Sequence, residues 1–256
     1  MRASLTVVLI AALVIGACSA GCVPLGRRTV IEGSGVAGTE TRTLEAFTAV
    51  AVEGQGEAVV ALGGSPSIMI EADENLLEYI ETRVKDGVLE LRLKHPERCA
   101  SFRTRRPVRY TITTETLDAV SIAGSGTLRS NGASVDEFDI DIAGSGTVLL
   151  DDLTCETVRV DIAGSGDVRM TGTATRQDVS IAGSGNVSAG GLMTERTRID
   201  IAGSGDATLW ATEKLRVSVA GSGDVRYYGS PSLSKSIEGV GDIHHLGDKG
   251  SGHGEL

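Results

Sequence analysis

Apolar and polar residues alternate along most of the second half of the chain. Phe138-Asp-Ile-Asp-Ile142, Val158-Arg-Val-Asp-Ile162 and Val179-Ser-Ile181 each place apolar side chains two residues apart. That period belongs to a strand with one buried face. Each of these strands runs into the same glycine turn. The turn recurs as Ile122-Ala-Gly-Ser-Gly126, Ile142 to Gly146, Ile162 to Gly166, Ile181 to Gly185, Ile201 to Gly205, Val219 to Gly223 and the degenerate Ile237-Glu-Gly-Val-Gly241, at steps of 20, 20, 19, 20, 18 and 18 residues. A second short strand follows each turn, as in Thr147-Val-Leu-Leu150, Asp167-Val-Arg-Met170 and Asp224-Val-Arg-Tyr-Tyr228.

A constant period near 20 marks one structural unit stacked on the next. Twenty extended residues span roughly 65 Å, enough for one coil of a solenoid. The pattern predicts an all-β fold, a right-handed parallel β-helix (β-solenoid) of 18–20-residue repeats. The Ile or Val before each turn, and the Val or Leu after it, form inward ladders. The alternative is an antiparallel sandwich of hairpins, but hairpins do not require the same side chain at the same offset every 20 residues. The earlier half is less regular. Ile31-Glu-Gly-Ser-Gly35 and Val52-Glu-Gly-Gln-Gly56 read as divergent turns. Asp73 to Val84 places Leu76, Leu77, Ile80 and Val84 on one helical face, with Asp73 as cap and Gly87 past the end, which predicts one short helix. Strands are expected at Val88–Leu93 and Val108–Ile112.

The N-terminus changes the picture from a free domain to an exported one. Arg2 precedes an apolar run from Leu5 to Ile15 that is too short to span a bilayer, so residues 1–17 read as a signal peptide. Ile15-Gly-Ala-Cys18 resembles a lipobox, which makes Cys18 the expected lipidation site and the membrane the first partner. Ser19-Ala-Gly-Cys22 is a second, poorer match. Residues 18–42 then serve as anchor and tether, 43–245 as the β-helix domain and 246–256 as a Gly-rich tail. Ser19 in place of an aspartate favours the outer membrane in a cell that has one. In an oxidising compartment Cys99 and Cys155 are the candidate disulfide.

Charge and composition exclude more than they assign. A formal charge of −10 argues against nucleic acid as partner. Aromatics make up only 3% of residues, against the stacking surfaces usual in sugar grooves. Trp210, Tyr227 and Tyr228 form the one late cluster, either a ligand platform or packing over the last coils. Asp206, Asp224 and Asp242 follow their turns directly. In-register stacking makes them a file at about 4.8 Å spacing, either bridged by Ca²⁺ or bonded to turn amides. Asp141, Asp161 and Asp200 form a second, outward file. Arg98, Arg103, Arg105, Arg106 and Arg109 form a basic loop, and His244, His245 and His253 lie near the end. No nucleophile elbow, phosphate loop or zinc-spaced Cys/His set is present, so no catalytic residue and no obligate cofactor is expected.

The ordered succession Arg42-Thr-Leu-Glu-Ala-Phe47, Val50-Ala-Val-Glu-Gly54, Glu74-Asn-Leu-Leu-Glu-Tyr-Ile80, the Ala-Gly-Ser-Gly units and Val225-Arg-Tyr-Tyr-Gly-Ser-Pro231 resembles the head GIN domain family, which carries an autotransporter-adhesin label. The resemblance covers about residues 29–245. It implies a β-helical fold and an exported, often lipid-anchored bacterial protein, and it supplies no catalytic residues. The expected function is a non-catalytic envelope lipoprotein that binds an envelope polysaccharide or protein. A polysaccharide lyase or hydrolase using the solenoid-face acids is the alternative from a different class, and an envelope sensor is a third.

Overall fold

The computed structural model describes residues 30–94 and 101–249. The chain divides into two compact units, residues 1–129 and 130–256.

The first unit holds β1 (Val30–Glu32), β2 (Ala37–Thr43), β3 (Ala49–Gly54), β4 (Glu57–Leu62), β5 (Ser67–Asp73), a 3-10 helix (Glu74–Tyr79), β6 (Ile80–Lys85), β7 (Val88–Leu93), β8 (Ser101–Arg103), β9 (Arg109–Thr114) and β10 (Ala119–Gly124). Solenoid pairing is already present here. β3 lies parallel to both β7 and β10, and β4 lies parallel to β9. Antiparallel pairs are added to it: β2 with β5, β5 with β9, and β6 with β7.

The expected short helix is present as a six-residue 3-10 helix, Glu74–Tyr79. Ile80 and Val84, assigned from the sequence to its apolar face, lie on β6. The reason is the hairpin that follows. Asp86 and Gly87 have φ of 50° and 80°, the Asp-Gly geometry of a tight turn whose twist matches its strands. Gly87 therefore turns β6 onto β7 and does not end a helix. Asp73 stands before the 3-10 helix but makes no side-chain cap bond. Its fully buried carboxylate instead accepts backbone N–H bonds from Gly35 (2.8 Å), Arg105 (2.8 Å) and Arg106 (3.1 Å). Burial pushes this carboxyl up, and the three amides with the Arg106 charge more than offset that, so it stays below the usual range.

The strand β11 (Thr127–Asn131) runs across the division between the units. In the second unit β12 (Ser134–Gly144), β13 (Thr147–Gly164), β14 (Asp167–Gly183), β15 (Asn186–Gly203) and β16 (Ala207–Gly221) stack parallel, each on the equivalent strand one coil away. β17 (Val225–Tyr228), β18 (Ser232–Gly239) and β19 (Ile243–His245) complete the last coils. The fold is thus the all-β parallel solenoid that the repeat predicts. Both inward ladders are present. Ile142, Ile162, Ile181, Ile201 and Val219 follow one another in register and are at most 3% exposed. Val148, Val168, Val187, Ala207 and Val225 form the other. Burying each Val or Ile contributes about 1.5–3 kcal/mol.

The turns stack as tightly as the strands. The amides of Ser165, Ser184, Ser204 and Ser222 each donate to the carbonyl of the first turn glycine one coil earlier, at 2.8–2.9 Å. The ladder changes character at its last strand. β18 aligns Lys235 with Val217, so a charged residue takes a position that the previous coil gives to a buried valine. An exposed charge in that column on a terminal strand discourages further strand pairing.

Candidate functional site

Cys18 and Cys99 lie outside the described residues, as do Arg98 and His253. Cys155 sits on β13 in register with Val135 and Ala174. It is 8% exposed, and burial pushes its thiol up to about 11.

The carboxylates after the turns form a hydrogen-bonded ladder. Asp206 Oδ1 accepts the Asp224 amide at 2.8 Å, and Asp224 Oδ1 accepts the Asp242 amide at 3.0 Å. Asn186 continues the ladder backwards: its Oδ1 accepts the Asp206 amide at 3.2 Å, and its Nδ2 donates to Asp167 Oδ1 at 2.9 Å. Arg226 lies 3.4 Å from Asp224 and 4.0 Å from Asp206. Amides and one guanidinium thus relieve the repulsion that stacking creates. Among the described residues no group of three or more His, Cys, Asp and Glu is placed to hold a metal ion.

The outward file is broken by the repeat itself. Asp141 aligns with Asp161, but Asp161 aligns with Ser180, and only then comes Asp200. Arg159 bridges Glu137 (3.2 Å) and Asp139 (3.3 Å) beside it. Burial of Asp141, with the charges of Asp161 and Asp139 next to it, pushes its carboxyl up to about 6 from an ordinary 3.8. A raised value means that the fold favours the protonated acid. Stability is therefore full below pH 3.8 and declines as pH rises through 6. At full burial the shift would correspond to about 3 kcal/mol; solvent screening at this partly buried position leaves roughly 1 kcal/mol. Asp141→Asn is expected to raise the thermal midpoint by about 2–4 °C at pH 7.5 and to leave it unchanged at pH 3.5. Equal shifts at both pH values in paired melts would refute this.

The basic loop is tied down by acids. Arg103 and Arg105 reach Glu32 at 3.4 and 3.3 Å, and Arg109 reaches Glu57 at 3.5 Å. The late aromatics divide between two roles. Tyr227 aligns with the buried Leu209 and stacks on His245 at 4.9 Å, closing the inward ladder at its end. Trp210 and Tyr228 are register partners, both half-buried, one position further along and so facing outward. Sequence reasoning missed Lys249. Its Nζ lies 4.1 Å from the Tyr228 ring centroid and 5.4 Å from that of Trp210. The same Nζ donates to the Gly190 carbonyl at 2.6 Å. No local motif announces a contact that spans 59 residues.

These features define a parallel β-solenoid domain whose outer columns repeat in register. Residues 46–231 match the model of the family described as "Putative auto-transporter adhesin, head GIN domain", and the chain belongs to that family. It is similar to a solved structure of a "putative adhesin" from Bacteroides fragilis, with 30% identity, a TM-score of 0.76, and 84% of this chain and all of that one covered. It is also similar to a "putative lipid binding protein" from Parabacteroides distasonis, with 24% identity, a TM-score of 0.71, and 85% and 100% of the chains covered. A "putative adhesin" from Parabacteroides merdae shares the fold at 22% identity, with a TM-score of 0.66 and coverage of 85% and 99%. No curated protein matches the chain.

Proposed function

We propose that this is a non-catalytic lipoprotein of the cell envelope that uses its solenoid faces to bind an envelope polymer. One observation carries the reading. The outer columns are filled by polar residues that recur in register coil after coil: Asp139, Arg159, Asp178 and Arg198 occupy one column, and Asp141, Asp161, Ser180 and Asp200 another. A strand spacing of about 4.8 Å makes such a surface periodic, suited to a ligand that is itself periodic. The adhesin names of the relatives agree with it. Cys18 is the anchor, and the outer membrane is the location favoured by Ser19; the tether expected over residues 18–42 stops short of Val30, because β1 and β2 pair with β8 and β5 and belong to the folded body.

The acids of the outward file, Asp141, Asp161 and Asp200, stand at the same offset of their coils, and Ser180 takes that offset in the coil between the last two. A catalytic pair would need one coil to differ from the rest, with two carboxyls held at a defined separation and in opposite protonation states. The test uses the body from residue 30 onward, incubated with insoluble peptidoglycan and with purified envelope polysaccharides. Co-sedimentation with at least one of them, with no new oligosaccharides by mass spectrometry, is expected. New cleavage products would overturn the reading in favour of a lyase or hydrolase; absence of retention on every polymer would overturn it as well. Replacing Cys18 with serine is expected to move the full chain from the membrane to the soluble fraction.

A further inference from the structure

We infer that Trp210, Tyr228 and the Gly190 carbonyl form a binding site for the primary ammonium of an amino-sugar polymer, and that Lys249 occupies it as an internal stand-in. The inference rests on the polymer-binding reading and names the ligand class and the place.

The site is built by an irregularity in the ladder. β15 matches β14 up to Ser188 and resumes at Gly191, and it matches β16 up to Ser188 and resumes at Met193. Gly190 has no register partner on either side. A bulge of this kind re-aims the backbone and frees polar groups from the ladder. The freed Gly190 carbonyl accepts Lys249 Nζ. The missing side chain matters equally. A Cβ on Gly190 would stand 3.2 Å from Tyr228 Cε2 and 3.0 Å from Thr208 Cγ2, so glycine is what lets the Tyr228 ring lie back across the preceding coil. Met193 and Trp210 are register partners and continue the ledge.

The way Lys249 is held defines the chemistry. The chain carries 34 Asp and Glu, yet among the described residues Lys249 forms no ion pair. Two ring faces and a carbonyl oxygen hold its ammonium instead. Ring faces attract cations through their quadrupole, and a carbonyl discriminates for a group that donates. The tail that delivers Lys249 is laid down by Leu246 N–H to Tyr227 O (2.8 Å), Gly229 N–H to Gly247 O (3.1 Å) and Ser230 Oγ–H to Asp248 (2.8 Å). A glucosamine unit with a free amine matches the whole arrangement. Its ammonium takes the place of Lys249 Nζ, and the apolar face of its pyranose ring lies along Met193 and Trp210. Because Lys249 is tethered, it competes at an effective concentration on the order of millimolar. Removing it strengthens binding of the external amine.

The test reads the intrinsic fluorescence of Trp210, the one tryptophan of the chain, in the purified full chain and in Lys249→Ala. The probes are a glucosamine hexamer and its fully N-acetylated counterpart. Lys249→Ala is expected to respond to the free-amine hexamer at a concentration at least tenfold lower than wild type requires, and to the acetylated hexamer at least tenfold more weakly. Tyr228→Ala in the Lys249→Ala background is expected to abolish that gain, with far-ultraviolet circular dichroism confirming the fold. An equal response of wild type and Lys249→Ala would overturn the inference, as would equal binding of the two hexamers. Retention of wild type on an envelope polymer with no such fluorescence response would remove this site and leave the proposed function standing; a glucosamine response without retention on any polymer would do the reverse.

Discussion

Gly183→Ala is expected to lower stability by about 4 kcal/mol and the thermal midpoint by roughly 10 °C. Gly183 has a φ of +135°, a region that residues with a Cβ rarely adopt. An added Cβ would enter the space of the Gly164 carbonyl oxygen and stand 3.0 Å from the Gly164 carbonyl carbon. That same oxygen accepts the Ser184 amide at 2.8 Å, so the methyl group attacks the bond that stacks one turn on the next. Backbone strain of about 1–3 kcal/mol and overpacking of about 1–3 kcal/mol add, because relief in either direction is blocked. Gly183 is itself covered by the next coil, where Gly203 lies against its carbonyl. Position sharpens the expectation. Gly239→Ala makes the same collision with Gly221 at a φ of +148°, but it lies in the last coil, which can open without disturbing its neighbours. Its cost should be less than half that of Gly183→Ala. Ser184→Ala, at the exposed turn tip, should stay within about 0.5 kcal/mol of wild type. Calorimetric melts of the three variants decide the matter. Equal losses at Gly183 and Gly239, or a loss under about 1 kcal/mol at Gly183, would contradict a tightly stacked turn column.

The same glycines explain how much of this molecule is legible in its sequence. Ile142, Ile162, Ile181 and Ile201 recur because each coil must present the same side chain to the same neighbour, and the steps between them give the coil length directly. Elements that do not repeat carry no such signal. Residues 73–84 satisfy a helical and an alternating pattern at once, since Ile80, Thr82 and Val84 are also a strand set. Asp86-Gly87 decides between them, because a Gly past an apolar run fits a helix end and an Asp-Gly hairpin turn equally well until its partner strand is known. Asp73 shows a related failure. Its three amide partners come from Gly35, Arg105 and Arg106, distant segments that no local rule brings to a carboxylate. The candidate site divides along the same line. Trp210 and Tyr228 are visible as aromatics at equivalent offsets of consecutive coils, which places them together. The sequence could not separate Tyr227 from them without the inside–outside phase of β17. It gave no hint that Gly190 is an extra residue that frees a carbonyl for Lys249.

Gln177→Leu is expected to stabilise the protein by about 2 kcal/mol and to raise the midpoint by roughly 5 °C. Gln177 lies in the inward column between Val158 and Thr197 and is fully buried. Neither Nε2 nor Oε1 has a hydrogen-bond partner. The one polar neighbour in register is already committed. Thr194 donates to the Trp210 carbonyl at 2.8 Å, so the 2.6 Å contact between Thr194 and Thr197 must be donated by Thr197. No hydroxyl proton is left to reach the amide oxygen. An amide buried without partners costs about 1–3 kcal/mol, and leucine has a similar volume and nothing to satisfy. Equivalent positions in other coils hold Phe138, Val158 and Leu215, so an apolar side chain fits the column. Gln177→Val should gain less, because the smaller side chain leaves part of the space unfilled. Denaturant unfolding of both variants separates this account from its opposite. Destabilisation by leucine would mean that the amide is bonded in solution through an interior water, since a satisfied buried amide is costly to remove. Stabilisation in the order leucine above valine would mean that the surplus of the aliphatic ladders carries Gln177 at a cost.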